Sequence, residues 1–164
     1  MDRSLLIVGA GGHGQVVAEA ARACGYEKID FLDDSHPAAV GTLRELERFV
    51  PAYDGVIISI GNNERRQELT VRLENVSARI VTLLHPEAYI APSAVIGEGT
   101  VVLPKAVIHS NTCIGKGCIV GIGALADHDV QIGDFVHLDA GSICVSGSHV
   151  KSLRKVKAGE TVSK

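Results

Sequence analysis

Read from residue 90 in steps of six, the chain returns an apolar or small side chain every time: Ile90, Ile96, Val102, Ile108, Ile114, Val120, Ala126, Ile132, Leu138, Cys144, Val150, Val156 and Val162. Four positions further on the residue is usually small or β-branched, as at Ala94, Thr100, Ala106, Thr112, Cys118 and Ala124. Glycine recurs directly after the apolar residue at Gly97, Gly115, Gly121 and Gly133. A repeat held at one period overrides local propensity, because a short unit cannot bury an apolar face alone and must stack on its neighbours. Six residues supply one short strand and one corner, so three units close a triangular coil with the apolar residue inside. The hairpin turns that an antiparallel sheet needs at regular intervals are missing. The spacing therefore predicts a parallel β-helix, with glycine relieving the backbone where it bends. Arg154 and Glu160 occupy small-residue positions, which predicts an irregular last coil or a cap over an open sheet edge.

Ahead of the repeats the period changes. Apolar runs predict strands over 5–8, 29–32, 56–60 and 79–84, alternating with helices over 15–24, 43–49 and 64–73. That alternation implies a parallel sheet with right-handed crossovers. His85-Pro86 marks the change, since proline restricts the residue before it to extended backbone. Two domains are expected: a Rossmann-like α/β subdomain over 1–85 and an all-β helix over 86–164. Trp is absent and aromatic residues make up 4% of the 164 positions, so Ile, Val, Leu and Ala must build both cores.

Chemistry concentrates in a few places. Gly9, Gly11 and Gly14 fit G-x-G-x-x-G between the first strand and the first helix, where backbone N–H groups and the helix dipole favour a phosphate. Asp33 and Asp34 end the second strand about twenty residues on, the place of a ribose- or base-binding carboxylate. The same turn can serve structure alone. A complete dinucleotide fold uses six strands; four strands are half a site, which suits one nucleotide. Gly61-Asn62-Asn63 follows the third strand at the same sheet edge, and its amides offer polar contacts. In the repeats, Asp127-His128-Asp129 breaks the apolar pattern. His128 falls two residues after an inward position and should project from a corner, where flanking carboxylates favour imidazolium and orient the ring. His137 lies half a coil further on; His109 and His149 read as surface residues.

A net charge of −3 gives no reason to expect nucleic acid or a membrane surface as a partner. Lys151, Arg154, Lys155 and Lys157 form one basic cluster, readable as solvated surface or as a phosphate contact. Cys24, Cys113, Cys118 and Cys144 show neither C-x-x-C nor metal-ligand spacing, so buried thiols in a reducing compartment and no metal are expected. No leader precedes the first strand and no apolar stretch is long enough to span a membrane. The expectation is a soluble cytoplasmic protein.

Together these motifs resemble the bacterial sugar acetyltransferases of the sialic-acid O-acetyltransferase and bacillosamine-pathway N-acetyltransferase family. The resemblance runs from Leu5 to about Val150 and rests on Val8 to Gly14, Phe31 to Asp34, Ile60 to Glu64, Asp127-His128-Asp129 and Ile132 to His137. It is closest to the branch that N-acetylates a UDP-linked 4-amino-4,6-dideoxy sugar. The resemblance implies a left-handed β-helix, a homotrimer, and acetyl-CoA bound between neighbouring β-helices. It implies that His128 is the general base for direct transfer, with Asp129 orienting it where that branch usually has Glu, and that His137 contacts acetyl-CoA. Gly11, Gly12 and His13 are implied as the sugar-nucleotide phosphate turn, with Asp33 and Asp34 at the uracil. Family members continue after the position of Val150 into further coils and a Gly-Val-Pro-Ala-Lys-like segment, so a shortened C-terminus is expected. Two other activities use the same residues: O-acetylation of sialic acid or a related sugar, and a nucleotide-sugar-binding trimer without transferase activity.

Overall fold

The structure is a computed structural model and describes residues 3–164. The chain divides into two compact units, Met1–Val81 and Thr82–Lys164.

In the first unit, β1 (Ser4–Val8), β2 (Lys28–Leu32), β3 (Ala39–Gly41) and β4 (Gly55–Ile58) form a parallel sheet in the order β3-β2-β1-β4. Central β1 is buried along its whole length, as its unbroken apolar run requires of a strand covered on both faces. Helix α1 (Gly12–Ala23) buries Val17, Ala18, Ala20 and Ala21, and α3 (Asn63–Asn75) buries Leu69 and Leu73. Leu6, Val8, Val56 and Ile58 share a core with Leu69 and Leu73.

Three expectations fail here. The strand over 79–84 is split: Ile80 meets Val56 of β4 through a single parallel bridge, whereas Leu83–Leu84 pairs with Val101–Val102 in the second unit. His85-Pro86, the expected boundary, therefore lies inside the second unit, just after its first strand. The fourth strand is instead Ala39–Gly41, a three-residue edge strand with a register shift against β2; it is too short to leave a period. The helix expected over 43–49 is split into a 3₁₀ turn at Leu43–Glu45 and α2 (Leu46–Phe49). Only Leu46 of α2 is buried, too little apolar contact to hold a longer helix.

The second unit is a three-faced parallel β-helix of two-residue strands. The first face stacks Leu83–Leu84, Val101–Val102, Ile119–Val120, His137–Leu138 and Lys155–Val156. The second stacks Tyr89–Ile90, Val107–Ile108, Leu125–Ala126, Ile143–Cys144 and Thr161–Val162. The third stacks Val95–Ile96, Cys113–Ile114, Gln131–Ile132 and His149–Val150. Strand partners are one coil apart, and the inward residues form one continuous core. Buried Thr100 and Thr112 join this stacking through polar atoms: Thr100 Oγ1 donates to Gly115 O at 2.9 Å and accepts from Cys118 N at 3.0 Å.

The glycines after the inward positions do a different job from the one expected. A Cβ on Gly97 would meet the Gly115 carbonyl carbon at 2.5 Å, so close approach of the next coil excludes side chains there. The bend falls two residues later, where left-handed backbone recurs at Gly99, Lys105, Asn111, Gly117, Gly123 and Asp129. The last coil is also regular. Lys155–Val156 and Thr161–Val162 pair in register with the coil before. Arg154 and Glu160, which break the small-residue rule, pair with each other at 2.7 Å, and Glu160 Oε2 accepts from Lys157 N at 2.8 Å.

Candidate active site

His128 sits in the corner between the second and third faces, after Leu125–Ala126 and before Gln131–Ile132. Its backbone is pinned on both sides: the N–H donates to Asp127 Oδ1 at 2.8 Å, and the C=O accepts from Gly147 N at 3.0 Å. Asp129 follows with φ of 59°, a left-handed conformation that Asp tolerates better than most residues. This bend brings its carboxylate back onto the imidazole, and Nδ1 of His128 lies 2.7 Å from Asp129 Oδ2. The other oxygen, Oδ1, accepts from Asn111 Nδ2 at 3.1 Å. The His128 pKa is raised above the ordinary imidazole value, first by the bond to Asp129 and then by the charges of Asp127 and Asp129, with partial desolvation and Lys164 opposing. A ring bonded through Nδ1–H presents Nε2 as its basic atom, and half of the side chain is open to a reactant.

His109 is exposed as expected, but its place beside His128 was not foreseen. Its ring lies edge-on to His128 with centroids 6.4 Å apart, and its Nδ1 is 3.7 Å from Asp127 Oδ1. Tyr89 continues the row at 6.4 Å from His109. The signal was available: one coil is three repeats, which stacks Asp127 over His109 and Asp129 over Asn111.

His137 opens a strand of the first face, so the fold of a single chain puts it on a different side of the prism from the corner holding His128. It is nearly buried, with Nε2 at 3.9 Å from Asp139 Oδ1. Two of the four basic residues near the end are neutralised internally, Arg154 by Glu160 and Lys155 by Asp139 at 3.2 Å.

In the first unit the named residues gather at the carboxyl edge of the parallel sheet, beyond the ends of β1, β2 and β4. Gly9 has φ of 104°, available to few residues with a side chain. A Cβ on Gly14 would collide with the Gly9 carbonyl oxygen, so α1 packs directly on the turn. Gly11 caps α1 and Gly12 begins it, and a Cβ at either would meet nothing within 4 Å. His13 is the second residue of α1 and half-buried. Asp33 points its carboxylate inward: Oδ2 accepts from Ala10 N and Oδ1 from the Ser35 and His36 amides, each at 2.9 Å. These bonds, Ala10 foremost, hold its carboxyl below the usual range. Asp34 Oδ1 accepts from Leu43 N at 2.9 Å. On the other flank, Asn62 caps α3 by accepting from Arg65 N at 2.8 Å. Beneath it, Arg66 is 1% exposed and donates to Ile60 O at 2.8 Å and Asn63 Oδ1 at 2.7 Å.

Among the described residues no cluster of three or more His, Cys, Asp or Glu could hold a metal ion, and no helix is long and apolar enough to cross a membrane. All four cysteines are thiols; Cys118 and Cys144 are buried as expected, whereas Cys24 and Cys113 are half-buried.

Comparison with known proteins adds the following. The family described as the PglD N-terminal domain matches residues 4–73. The UDP-N-acetylbacillosamine N-acetyltransferase of Bacillus subtilis (strain 168) is 38% identical over 112 residues, which are 62% of this chain and 51% of that protein. The chain spans about half the length, or less, of the curated relatives it matches. The acetyltransferase domain of PglB from Neisseria gonorrhoeae FA1090 superposes with a TM-score of 0.89 at 32% identity, over 99% of this chain and 92% of that one. The same domain has been solved in complex with acetyl coenzyme A. PerB from Caulobacter crescentus, in complex with CoA and GDP-perosamine, superposes with a TM-score of 0.84 at 27% identity, over 98% and 89% of the two chains. The shared fold makes the second unit a left-handed parallel β-helix.

Proposed function

Because this chain belongs to the hexapeptide-repeat sugar acetyltransferase family, we propose that it transfers the acetyl group of acetyl-CoA to the amino group of a UDP-linked 4-amino-4,6-dideoxy sugar. One observation carries the reading: an exposed imidazole whose Nδ1 is held by Asp129 at 2.7 Å, on a fold shared with acetyl-CoA- and CoA-bound transferases.

The amine nitrogen attacks the thioester carbonyl, and the π electrons move to oxygen as the tetrahedral oxyanion. His128 Nε2 takes the proton released by nitrogen. Collapse of the oxyanion then breaks the C–S bond and expels CoA thiolate, which recovers a proton from the imidazolium. A positioned base contributes about 10²–10⁴ in rate. Asp129 keeps Nδ1 protonated and stabilises the imidazolium. Backbone N–H groups around the Gly11-Gly12-His13 turn bind the nucleotide's phosphates. Asp33, through the turn it staples, and Asp34 serve the uracil side, while Gly61 and Asn62 add polar contacts.

The active molecule is a homotrimer with acetyl-CoA between neighbouring β-helices, where His137 touches it. Tyr89 at 54% and Ile143 at 39% exposure leave apolar surface on the second face for such packing. The cytoplasm is its compartment, in keeping with four thiols.

A thiol-release assay of the purified protein with acetyl-CoA tests the reading directly. The acceptors are a UDP-4-amino-4,6-dideoxy sugar, GDP-perosamine and sialic acid. Turnover is expected with the UDP-amino sugar at no less than tenfold the rate of the others. Turnover with sialic acid alone makes the protein an O-acetyltransferase, and release with none of them overturns the transferase reading.

A further inference from the structure

One edge of the β-helix carries a polar column that the reading above does not use in full. Ser93, Asn111, Asp129 and Gly147 stand one coil apart at the same corner. Ser93 Oγ accepts from Asn111 N at 3.0 Å, Asn111 Nδ2 donates to Asp129 Oδ1 at 3.1 Å, and Asp129 Oδ2 meets His128 Nδ1 at 2.7 Å. Asn111 and Asp129 have nearly the same left-handed backbone, with φ of 58° and 59°.

The backbone around His128 is already fixed. Gly147 N donates to the His128 carbonyl at 3.0 Å, and Asp129 N donates to Ser110 O at 2.9 Å. What remains free is rotation of the Asp129 carboxylate about its own bonds. A carboxylate is planar, so holding one oxygen sets the direction of the other. Asn111 holds Oδ1 from below, and Oδ2 is left facing the imidazole. Without that hold, an exposed aspartate would exchange its imidazole bond for water.

We propose that Asn111 is a positioning residue for acetyl transfer: it fixes the Asp129 carboxylate, which keeps His128 protonated at Nδ1 and basic at Nε2. The assignment rests on His128 being the base. Asn111 touches no reacting atom and acts only through Asp129. The simpler role for Asn at this corner is to accept left-handed backbone, which Asn does more readily than most residues. Asn111→Gly separates the two roles, because glycine keeps the backbone and removes the amide.

The test reads the imidazole itself by nitrogen-resolved NMR across pH, alongside the pH profile of turnover. The charged and titratable groups facing His128 are Asp127, Asp129, Lys164 and His109, and all are unchanged in the variant. In the wild type, the neutral ring is expected as the Nδ1–H tautomer. In Asn111→Gly, a mixture with the Nε2–H form is expected, His128 titrates at lower pH, and the acid limb of kcat moves down with it. Turnover falls about fivefold, well short of the loss of the base itself, while the acceptor KM and the melting temperature stay unchanged. An unaltered tautomer and pH profile in Asn111→Gly would overturn the proposal and leave Asn111 a backbone residue. His128→Ala, run in parallel, distinguishes the two levels. If it turns over normally, His128 is not the base, whatever Asn111 does to the ring.

Discussion

The candidate sites of the two units handle their polar side chains in opposite ways. At the sheet edge of the first unit, Asp33, Ser59, Asn62 and Arg66 turn inward onto backbone: Asp33 onto the Ala10 amide, Ser59 Oγ at 2.6 Å from Gly9 O, Arg66 onto Ile60 O. What faces outward is main chain and the open space over Gly11 and Gly12. At the β-helix corner the main chain is consumed by the coil-to-coil ladder, and side chains face outward, with His128 and Asp129 about half exposed. The first arrangement suits recognition of a rigid anion by N–H groups, which needs backbone geometry more than residue identity. The second suits proton transfer, which needs one titratable atom held at one angle.

The contrast can be broken from either side. The largest effect is expected from Gly14→Ala, whose Cβ would run into the Gly9 carbonyl oxygen. Overpacking there should destabilise the first unit by about 3 kcal/mol, read by denaturant unfolding. Gly11→Ala meets open space, so it should leave stability unchanged and weaken nucleotide binding instead. Asp33→Ala comes next, at about 2 kcal/mol, from the amides it leaves without their acceptor. Its folded carboxyl titrates below the ordinary value, so the contribution is complete above the unfolded pKa of about 4 and fades as pH falls through the folded one. Wild type and variant should converge in acid. Asp129→Asn leaves the fold intact and acts on chemistry. Turnover should fall about tenfold. Because Asp129 raises the His128 pKa, the acid limb of the pH profile should shift to lower pH. The smallest effect is expected from Arg154→Ala, which loses a solvent-facing pair to Glu160 and should change stability by less than about 1 kcal/mol.

Much of this was legible in the chain, and the gaps have physical causes. The six-residue period gave the inward set because each strand repeats one position, whereas the edge strand Ala39–Gly41 exists only through its partner β2 and leaves no pattern of its own. Asp127-His128-Asp129 stood out as a break in an apolar repeat. His109 and Asn111 did not, since they come beside it by stacking one coil away, which a reading along the chain does not register. Asp33 was visible as an acid after a strand, but a sequence does not tell whether such a carboxylate faces a ligand or the Ala10 amide; here it faces the amide. Arg154 and Glu160 looked like errors in the repeat when read singly, and they pair with each other at 2.7 Å in the folded coil.

The central claim is that this β-helix corner performs acetyl transfer while the Gly-rich edge binds the nucleotide. His128→Ala measures it most directly, with acetyl-CoA-dependent thiol release and UDP-sugar binding followed on the same preparation. Turnover is expected to drop by about 10²-fold or more with the UDP-sugar Kd unchanged. Turnover within threefold of the wild type would contradict the account.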